Sequence, residues 1–303
     1  MSALSRTVHG TRADARAALQ RLVVEAGDGL HGDGTLTVGD LLEQFMASAT
    51  LGATTRADWM SVTRRHLVPA FGEMPLWKLM ARDCDQLYGR MRATGLGPSR
   101  VRCAHVVLHR AVAQAVRWGW LPRNPVSAAT RPAVPRPMIV PPSVRTVRAA
   151  LAAAETSDPS LWCYLLVAVA TGARRGEVCA LRWCDVDLDD QFVRISQSVS
   201  QTTSEGVVVK CTKTDRARVV SITRAATAAL VQRQRDAMRS AERAECTLAP
   251  SSFVFSADAR GEQPWPPAVA TRRWKQLRGE IGLGRVRIHD LRHYVDTVAE
   301  RRG

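Results

Sequence analysis

The sequence predicts a mainly α-helical protein with a small antiparallel β-sheet, divided into a helical domain and an α+β domain. Apolar residues recur at helical spacing through residues 37–119, the pattern of helices that bury one face. Strand-like alternation of apolar and polar residues is concentrated in residues 192–222. Between these regions, residues 121–142 carry seven prolines, and such a density interrupts regular structure.

Length and charge favour a globular protein with a polyanionic partner. The 303 residues are enough for two domains, and 46% hydrophobic with 23% charged residues is a globular composition. Lys and Arg number 43 against 28 Asp and Glu, a formal net charge of +15. An excess of this size indicates nucleic acid as the partner, although charge alone leaves a basic protein without a nucleic-acid ligand as an open alternative.

Membrane, disulfide and metal-binding classes are disfavoured. No apolar run approaches the roughly 20 residues that span a bilayer, and the N-terminus lacks a charged-then-apolar signal sequence. The seven cysteines contain no Cys-x-x-Cys pair, which favours a reducing cytoplasm over a disulfide framework or a zinc site. We therefore predict a cytoplasmic protein that uses no metal and no cofactor.

The N-terminal part is predicted to be an arm followed by a helical domain. Residues 1–34 are rich in Ala, Arg and Gly with weak periodicity, which indicates a loosely ordered arm with a short helix. Residues 35–125 form the helical domain, and Thr37 with Asp40 fits a capping box at its start. The expected later helices cover Thr55–Leu67 (stopping at Pro69), Ala81–Ala93 and a long stretch from Pro98 to Gly119.

Residues 126–142 are predicted to be a semi-extended linker because of their prolines, and residues 143–303 form the second domain. Its expected strands cover Phe192–Val199, Val207–Val209, Arg218–Ile222 and Phe253–Phe255. Its expected later helices cover Arg224–Ala244 and Ala268–Gly279.

The first motif in this second domain is Thr-Gly-Ala-Arg-Arg-Gly-Glu at residues 171–177, between an apolar helix and the start of another. Thr171 or Gly172 is expected near the N-cap of the second helix. Arg174 and Glu177 are three residues apart, so they share a helix face on which Glu177 steadies the guanidinium. The alternative is that Arg174 is an ordinary solvated arginine.

Two further motifs follow. Lys213 lies in a Cys-Thr-Lys-Thr turn, with Lys210 as a competing lysine, and a hairpin lysine is often only a solubilising charge. His289 and Arg292 lie three residues apart in His-Asp-Leu-Arg-His, so both can point at a single phosphate from one face of a helix start. His293 is expected to have a supporting role, and the alternative is a capped surface helix with incidental histidines.

Taken together, the three motifs resemble the active site of the tyrosine recombinases, the phage-integrase family of DNA strand-exchange enzymes. The resemblance implies that Arg174 and Arg292 clamp a scissile phosphate, since arginine stays cationic and presents a planar fork of donors. It also implies Lys213 as the acid that protonates the leaving 5′ oxygen and His289 as an aid to proton transfer, with Glu177 and His293 in support. Such enzymes rejoin DNA through a 3′-phosphotyrosyl intermediate without metal or nucleotide.

The resemblance extends to residues 35–125, which look like the family's helical (SAM-like) core-binding domain, while residues 143–303 look like its catalytic domain. It implies double-stranded DNA attachment sites as partners and tetramers on paired sites. Two basic domains joined by a linker would gain avidity when both engage one duplex.

The nucleophilic tyrosine of the family is not found among the three tyrosines of this sequence. Tyr88 falls in the helical domain and Tyr164 in an apolar helix. Tyr294 is two residues after Arg292, so we expect it not to face the phosphate that Arg292 would hold. We therefore expect a catalytic domain that is incomplete at its C-terminus and inactive as given. The alternatives are a non-catalytic DNA-binding protein or remnant that occupies attachment sites, and a type IB topoisomerase.

Overall fold

In a computed structural model of the protein, the chain divides into two compact units, Met1–Arg136 and Pro137–Gly303. The structure describes residues 36–135, 141–202, 205–211, 217–284 and 286–292, together with residues 7, 11, 12, 14, 15 and 18. The predicted N-terminal arm lies almost entirely outside the described residues.

The first unit is helical, and its helices begin and end at expected signals. Thr37 caps α1 by accepting from the backbone N–H of Asp40, whose carboxylate accepts from the backbone of Thr37, so the predicted capping box is confirmed. Pro98 stands in the first turn of α5 (Pro98–Arg117), where its missing N–H has no cost. The helices are α1 (Val38–Ser48), α2 (Ala53–Val62), α3 (Val68–Phe71), α4 (Ala81–Ala93) and α5 (Pro98–Arg117).

The prediction that the second helix stops before Pro69 is wrong. Helix α2 passes into a π-helical turn, Thr63–Leu67, and continues as α3 through Pro69 to Phe71. The π turn restarts the α-helical pattern, so that Pro69 falls in the first turn of α3. A proline in the first turn of a helix removes no N–H group that would otherwise donate an α-helical hydrogen bond.

The beginning of the proline-rich segment belongs to the first unit. Residues Pro125–Ala128 form a 3₁₀ turn, and the side chains of Val126 and Ala129 are buried in the core of the first unit. Asn124 caps this turn and donates to the carbonyl oxygen of His109 in α5. The extended connection that was predicted from residue 126 onward therefore begins later in the chain.

The second unit combines helices with two small antiparallel sheets. Its helices are α6 (Val144–Ser157), α7 (Pro159–Thr171), α8 (Arg175–Cys179), α9 (Arg224–Arg243) and α10 (Pro267–Glu280). Its strands are β1 (Val186–Asp187), β2 (Phe192–Ile195), β3 (Gln197–Thr202), β4 (Gly206–Cys211) and β5 (Arg218–Ser221). One sheet has the order β1-β2-β5 and the other pairs β3 with β4.

Two predicted strands differ in the structure. The stretch expected as one strand from Phe192 to Val199 is two strands, because β2 pairs with β5 and β3 pairs with β4 in separate sheets. Within the expected strand Phe253–Phe255, Phe253 makes an isolated bridge with Arg182, and the neighbouring Ser256 makes another with Pro264. In both places the apolar residues indicate burial, but the sequence pattern does not indicate which backbone segments are paired.

Helix α7 runs through the core of the second unit. Its Tyr164 is fully buried against Phe255 and Trp265, with ring centroids 5.2 and 6.2 Å away. Helices α6 and α9 both pack on α7, the helix that ends where the first motif begins. Among the described residues, no helix is long and apolar enough to cross a bilayer.

Candidate active site

The first motif forms a tight turn between α7 and α8. Helix α7 ends with Gly172 in the left-handed conformation, at φ 59°, where a side chain would clash with the backbone. Arg174, in an extended conformation, is the N-cap of α8. The expectation that Thr171 or Gly172 stands near that N-cap is therefore corrected: Gly172 caps the C-terminus of the preceding helix, and Arg174 lies just before α8 rather than within it.

Glu177 lies at the centre of a cluster of charges, which we call the Glu177 cluster and define as Arg174, Glu177 and Arg218. Glu177 is only 2% exposed. One oxygen accepts from Arg174 Nη1 at 2.9 Å; the other accepts from the Arg174 backbone N–H at 3.0 Å and from Arg218 Nη2 at 2.5 Å. The predicted pairing of Arg174 with Glu177 is present, and a second arginine joins it.

The pKa of Glu177 reflects two opposing effects. Burial raises it, while the hydrogen bonds from Arg218 and Arg174 lower it, and the net result is a pKa below the usual glutamate value. The carboxylate is therefore ionised at neutral pH. It offers a fixed negative charge to two arginines whose side chains remain 44% (Arg174) and 36% (Arg218) exposed.

Two contacts with neighbouring elements hold the backbone of the turn in place. A Cβ atom on Gly176 would lie 2.3 Å from the carbonyl oxygen of Val199 in β3, so α8 approaches the sheet more closely than any side chain permits. The buried hydroxyl of Tyr164 donates to the carbonyl oxygen of Arg175 at 2.9 Å. These contacts fix the position from which Arg174 projects.

The third motif reaches the same turn. Residues 288–292 are helical, and Arg287 precedes them with its backbone N–H donating to Asp290. Arg292 Nη1 donates to the carbonyl oxygen of Gly172 at 2.9 Å, across 120 residues of sequence. Gly172 is two positions before Arg174, so the structure brings Arg292 and Arg174 to one turn of the backbone. His289 is on the same helical segment and is exposed.

Two predicted site residues, Lys213 and His293, lie outside the described residues. The competing Lys210 is described: it is exposed on β4 and stands opposite Ser198 of β3. Arg218, which begins β5, is the strand residue that follows the segment containing Lys213.

Arg218 is the residue of this cluster that sequence reasoning missed, although a signal for it exists. Residues two apart on a strand face the same side, and Val220 packs against the core. An arginine at the equivalent inward position is expected to be paired, because an unpaired buried charge is costly. That reasoning would have indicated a carboxylate partner without indicating which one.

The two described tyrosines are both buried and hydrogen-bonded. Tyr88 lies in the core of the first unit with its hydroxyl 3.1 Å from Nδ1 of His105, and Tyr164 bonds the turn as described above. Burial raises the pKa of each phenol, well above the usual value for Tyr164. Tyr294 lies outside the described residues.

No group of three or more His, Cys, Asp or Glu side chains within the part of the chain that the structure describes could hold a metal ion.

The sequence model of the phage integrase family matches residues 144–301, which is more than half of the chain. The chain belongs to the phage integrase family. The matched region begins at α6 and contains all three motifs, so the resemblance to a tyrosine recombinase that those motifs carry is confirmed.

Two curated relatives of this integrase-family chain are named "Integrase". The protein from Saccharopolyspora erythraea is 26% identical over 162 residues, 53% of this chain and 37% of the relative. The protein from Streptomyces ambofaciens is 30% identical over 185 residues, 59% of this chain and 46% of the relative. The matched parts thus span less than half of each curated relative.

Solved structures of the family share the fold of this chain. The Tn1549 transposon integrase (residues 82–397) in complex with a circular intermediate DNA superposes with a TM-score of 0.74, 17% identity and 88% coverage of both chains. A λ integrase tetramer bound to a Holliday junction gives a TM-score of 0.66 at 17% identity, covering 94% of this chain and 81% of that one. The predicted mainly α fold with small antiparallel sheets is confirmed.

Proposed function

We propose that this chain binds double-stranded DNA attachment sites and that Arg174 and Arg292 grip the two non-bridging oxygens of one phosphodiester. The observation that carries the proposal is the hydrogen bond from Arg292 to the carbonyl oxygen of Gly172, in the turn that ends at Arg174. Two cationic forks from distant parts of the sequence then meet at one place. Phosphate is the ligand that such paired guanidinium groups recognise.

The same arrangement supports strand cleavage and rejoining. As a nucleophile attacks phosphorus, negative charge builds on the non-bridging oxygens, and fixed cations stabilise it without reorganising. Lys213 would protonate the leaving 5′ oxygen and His289 would assist proton transfer at the nucleophile. Glu177 and His293 would support these groups. This is the reaction of a site-specific recombinase acting through a 3′-phosphotyrosyl intermediate.

The nucleophile is the part of that reaction that we do not assign to this chain. Tyr88 and Tyr164 are buried, with their hydroxyls occupied by His105 and by the Arg175 carbonyl. We propose that the 303-residue chain binds DNA but forms no covalent phosphotyrosyl link by itself. The second candidate function, a DNA-binding protein that occupies attachment sites without cutting them, is favoured by the same observation.

We further propose that residues 35–125 act as a core-binding module, that the linker lies within residues 126–142, and that residues 143–303 form the catalytic module. The λ integrase tetramer on a Holliday junction suggests that copies of this chain also assemble on paired sites. We also propose that this activity takes place in the cytoplasm.

The first experiment tests whether the chain binds duplex DNA through Arg174 and Arg292. The purified 303-residue chain is used to enrich bound duplexes from a random library, and affinity for the enriched duplex is measured by fluorescence anisotropy. Arg174→Met and Arg292→Met are each expected to weaken binding about 10-fold. Arg235→Met, which removes an exposed arginine on α9, is the control matched in charge. Failure to enrich any duplex, or equal losses for all three variants, would overturn the proposal.

The second experiment tests cleavage. The enriched duplex is nicked at successive positions so that the cleaved fragment diffuses away, and the mixture is run on a denaturing gel. No covalent protein–DNA band is expected from this chain. A band would contradict the proposal that its tyrosines are unavailable, and Tyr294→Phe would then show which tyrosine reacts.

A further inference from the structure

We propose that Arg218 is a positioning residue for the phosphate site: it holds Glu177 so that Glu177 can hold Arg174. This inference rests on the proposed function, because its consequence is measured in DNA binding. It concerns a residue that contacts the carboxylate and that the recombinase resemblance stated above does not include.

The contacts divide the Glu177 carboxylate between two arginines. Arg218 Nη2 donates to Oε2 at 2.5 Å, and Arg174 Nη1 donates to Oε1 at 2.9 Å. A carboxylate that is bound through both oxygens cannot rotate about its last torsion without breaking one bond. Arg218 therefore fixes the plane in which Oε1 meets the guanidinium of Arg174.

Arg218 belongs to a different element of the fold from Glu177 and Arg174. Glu177 and Arg174 belong to the turn at α8, whereas Arg218 is the first residue of β5, paired with Ile195 of β2. The bond therefore ties the three-stranded sheet to the turn that presents Arg174. It also anchors the chain shortly after the segment that contains Lys213.

Direct contact between Arg218 and DNA is the competing role, since its side chain is 36% exposed. The two roles predict different combined effects on DNA affinity when Arg218 and Arg174 are both substituted. A direct contact would contribute independently of Arg174, whereas a positioning residue acts only through it. Groups that act through one another give non-additive effects in a double-mutant cycle.

The test measures affinity for the enriched duplex in four proteins: the wild type, Arg218→Met, Arg174→Met and the double variant. Arg218→Met is expected to weaken binding about 5-fold in the wild type. In the Arg174→Met background it should weaken binding no more than Arg235→Met does there. Equal losses from Arg218→Met in both backgrounds would overturn the proposal in favour of a direct contact.

A second readout does not depend on DNA. In arginine-selective ¹⁵N NMR of the full chain, the Arg174 side-chain signal, assigned by its loss in Arg174→Met, should be restrained in the wild type. It should be averaged by motion in Arg218→Met and restored, at least in part, by Arg218→Lys, which keeps a donor on the carboxylate. An Arg174 signal unchanged by Arg218→Met would overturn the proposal even if the variant bound DNA weakly.

These outcomes are separable from failure of the proposed function. If the wild type binds no duplex, the phosphate proposal fails while the NMR result still decides whether Arg218 positions Arg174. If the wild type binds and Arg174→Met weakens it, the phosphate proposal stands whatever Arg218 does. Should Arg218→Met fail to fold, Arg218→Lys is compared with the wild type in both measurements, and a smaller loss with the same dependence on Arg174 is expected.

Discussion

The two arginines of the proposed phosphate site are held in different ways. Arg174 is held by a side chain, because its guanidinium and its backbone N–H both donate to the buried carboxylate of Glu177. Arg292 is held by the main chain, because it donates to the carbonyl oxygen of Gly172. A carboxylate can be protonated or mutated away, whereas a carbonyl oxygen can only be moved. The first anchor should therefore respond to pH and to side-chain changes, and the second to changes in backbone geometry.

The largest expected effect comes from removing the side-chain anchor. Glu177→Ala leaves two arginines without their shared partner and opens a buried space. The free energy of unfolding of the second unit should therefore fall by about 3 kcal/mol. Urea denaturation of the full chain measures this loss. Glu155→Ala, at an exposed position on α6, should change stability by less than about 0.5 kcal/mol. Similar values for the two variants would mean that Glu177 does not anchor the turn.

A substitution at Gly176, which lies in the turn that carries Glu177, should lower the free energy of unfolding by somewhat less. In Gly176→Ala the new methyl group would stand 2.3 Å from the Val199 carbonyl oxygen, and a backbone atom cannot swing aside. We expect a loss of about 2 kcal/mol as α8 is pushed off β3, again by urea denaturation. Gly279→Ala, on a helix with open space around the added atom, is the matched control and should be neutral or slightly stabilising.

The main-chain anchor is tested at Gly172. Its φ of 59° costs a residue with a Cβ about 1.5 kcal/mol, so Gly172→Ala should destabilise the unit by that amount or shift the carbonyl that receives Arg292. Gly172→Asn should cost less, because asparagine tolerates this conformation. If Ala and Asn proved equally harmless in urea denaturation, the turn would not depend on its left-handed residue.

The smallest expected effect sharpens the contrast between the anchors. The folded pKa of Glu177 is lowered, so its stabilisation is present above the unfolded value of about 4.3. It is lost as pH falls through the lower folded value. The stability difference between the wild type and Glu177→Gln should therefore shrink by about 1 kcal/mol between pH 7 and pH 3. The difference between the wild type and Arg292→Met should stay flat, and a parallel decline in both would contradict the distinction.

Sequence reasoning anticipated the first anchor better than the second, for a physical reason. Arg174 and Glu177 are three residues apart, so local geometry is enough to pair them. The bond between Arg292 and Gly172 spans 120 residues, and a main-chain acceptor leaves no trace in residue identity. Arg218 was missed because its partner lies on another element, even though its inward position on β5 was readable.

The fold shows the same division between local and distant information. Helix starts at Thr37 and Pro98 were predictable, because capping residues and prolines act within one turn. The π turn at Thr63–Leu67 and the change of sheet between β2 and β3 were not, because both depend on how distant segments pack.

The measurement that tests the central claim most directly replaces one phosphate at a time in the enriched duplex with a neutral methylphosphonate. In the wild type, affinity should fall most at one position, where both guanidinium groups would lose their anionic ligand. In Arg174→Met and in Arg292→Met, the methylphosphonate at that same position should cause a much smaller loss of affinity than it does in the wild type. If the two variants lost their sensitivity at different phosphates, the arginines would not share a phosphodiester and the proposed site would be wrong.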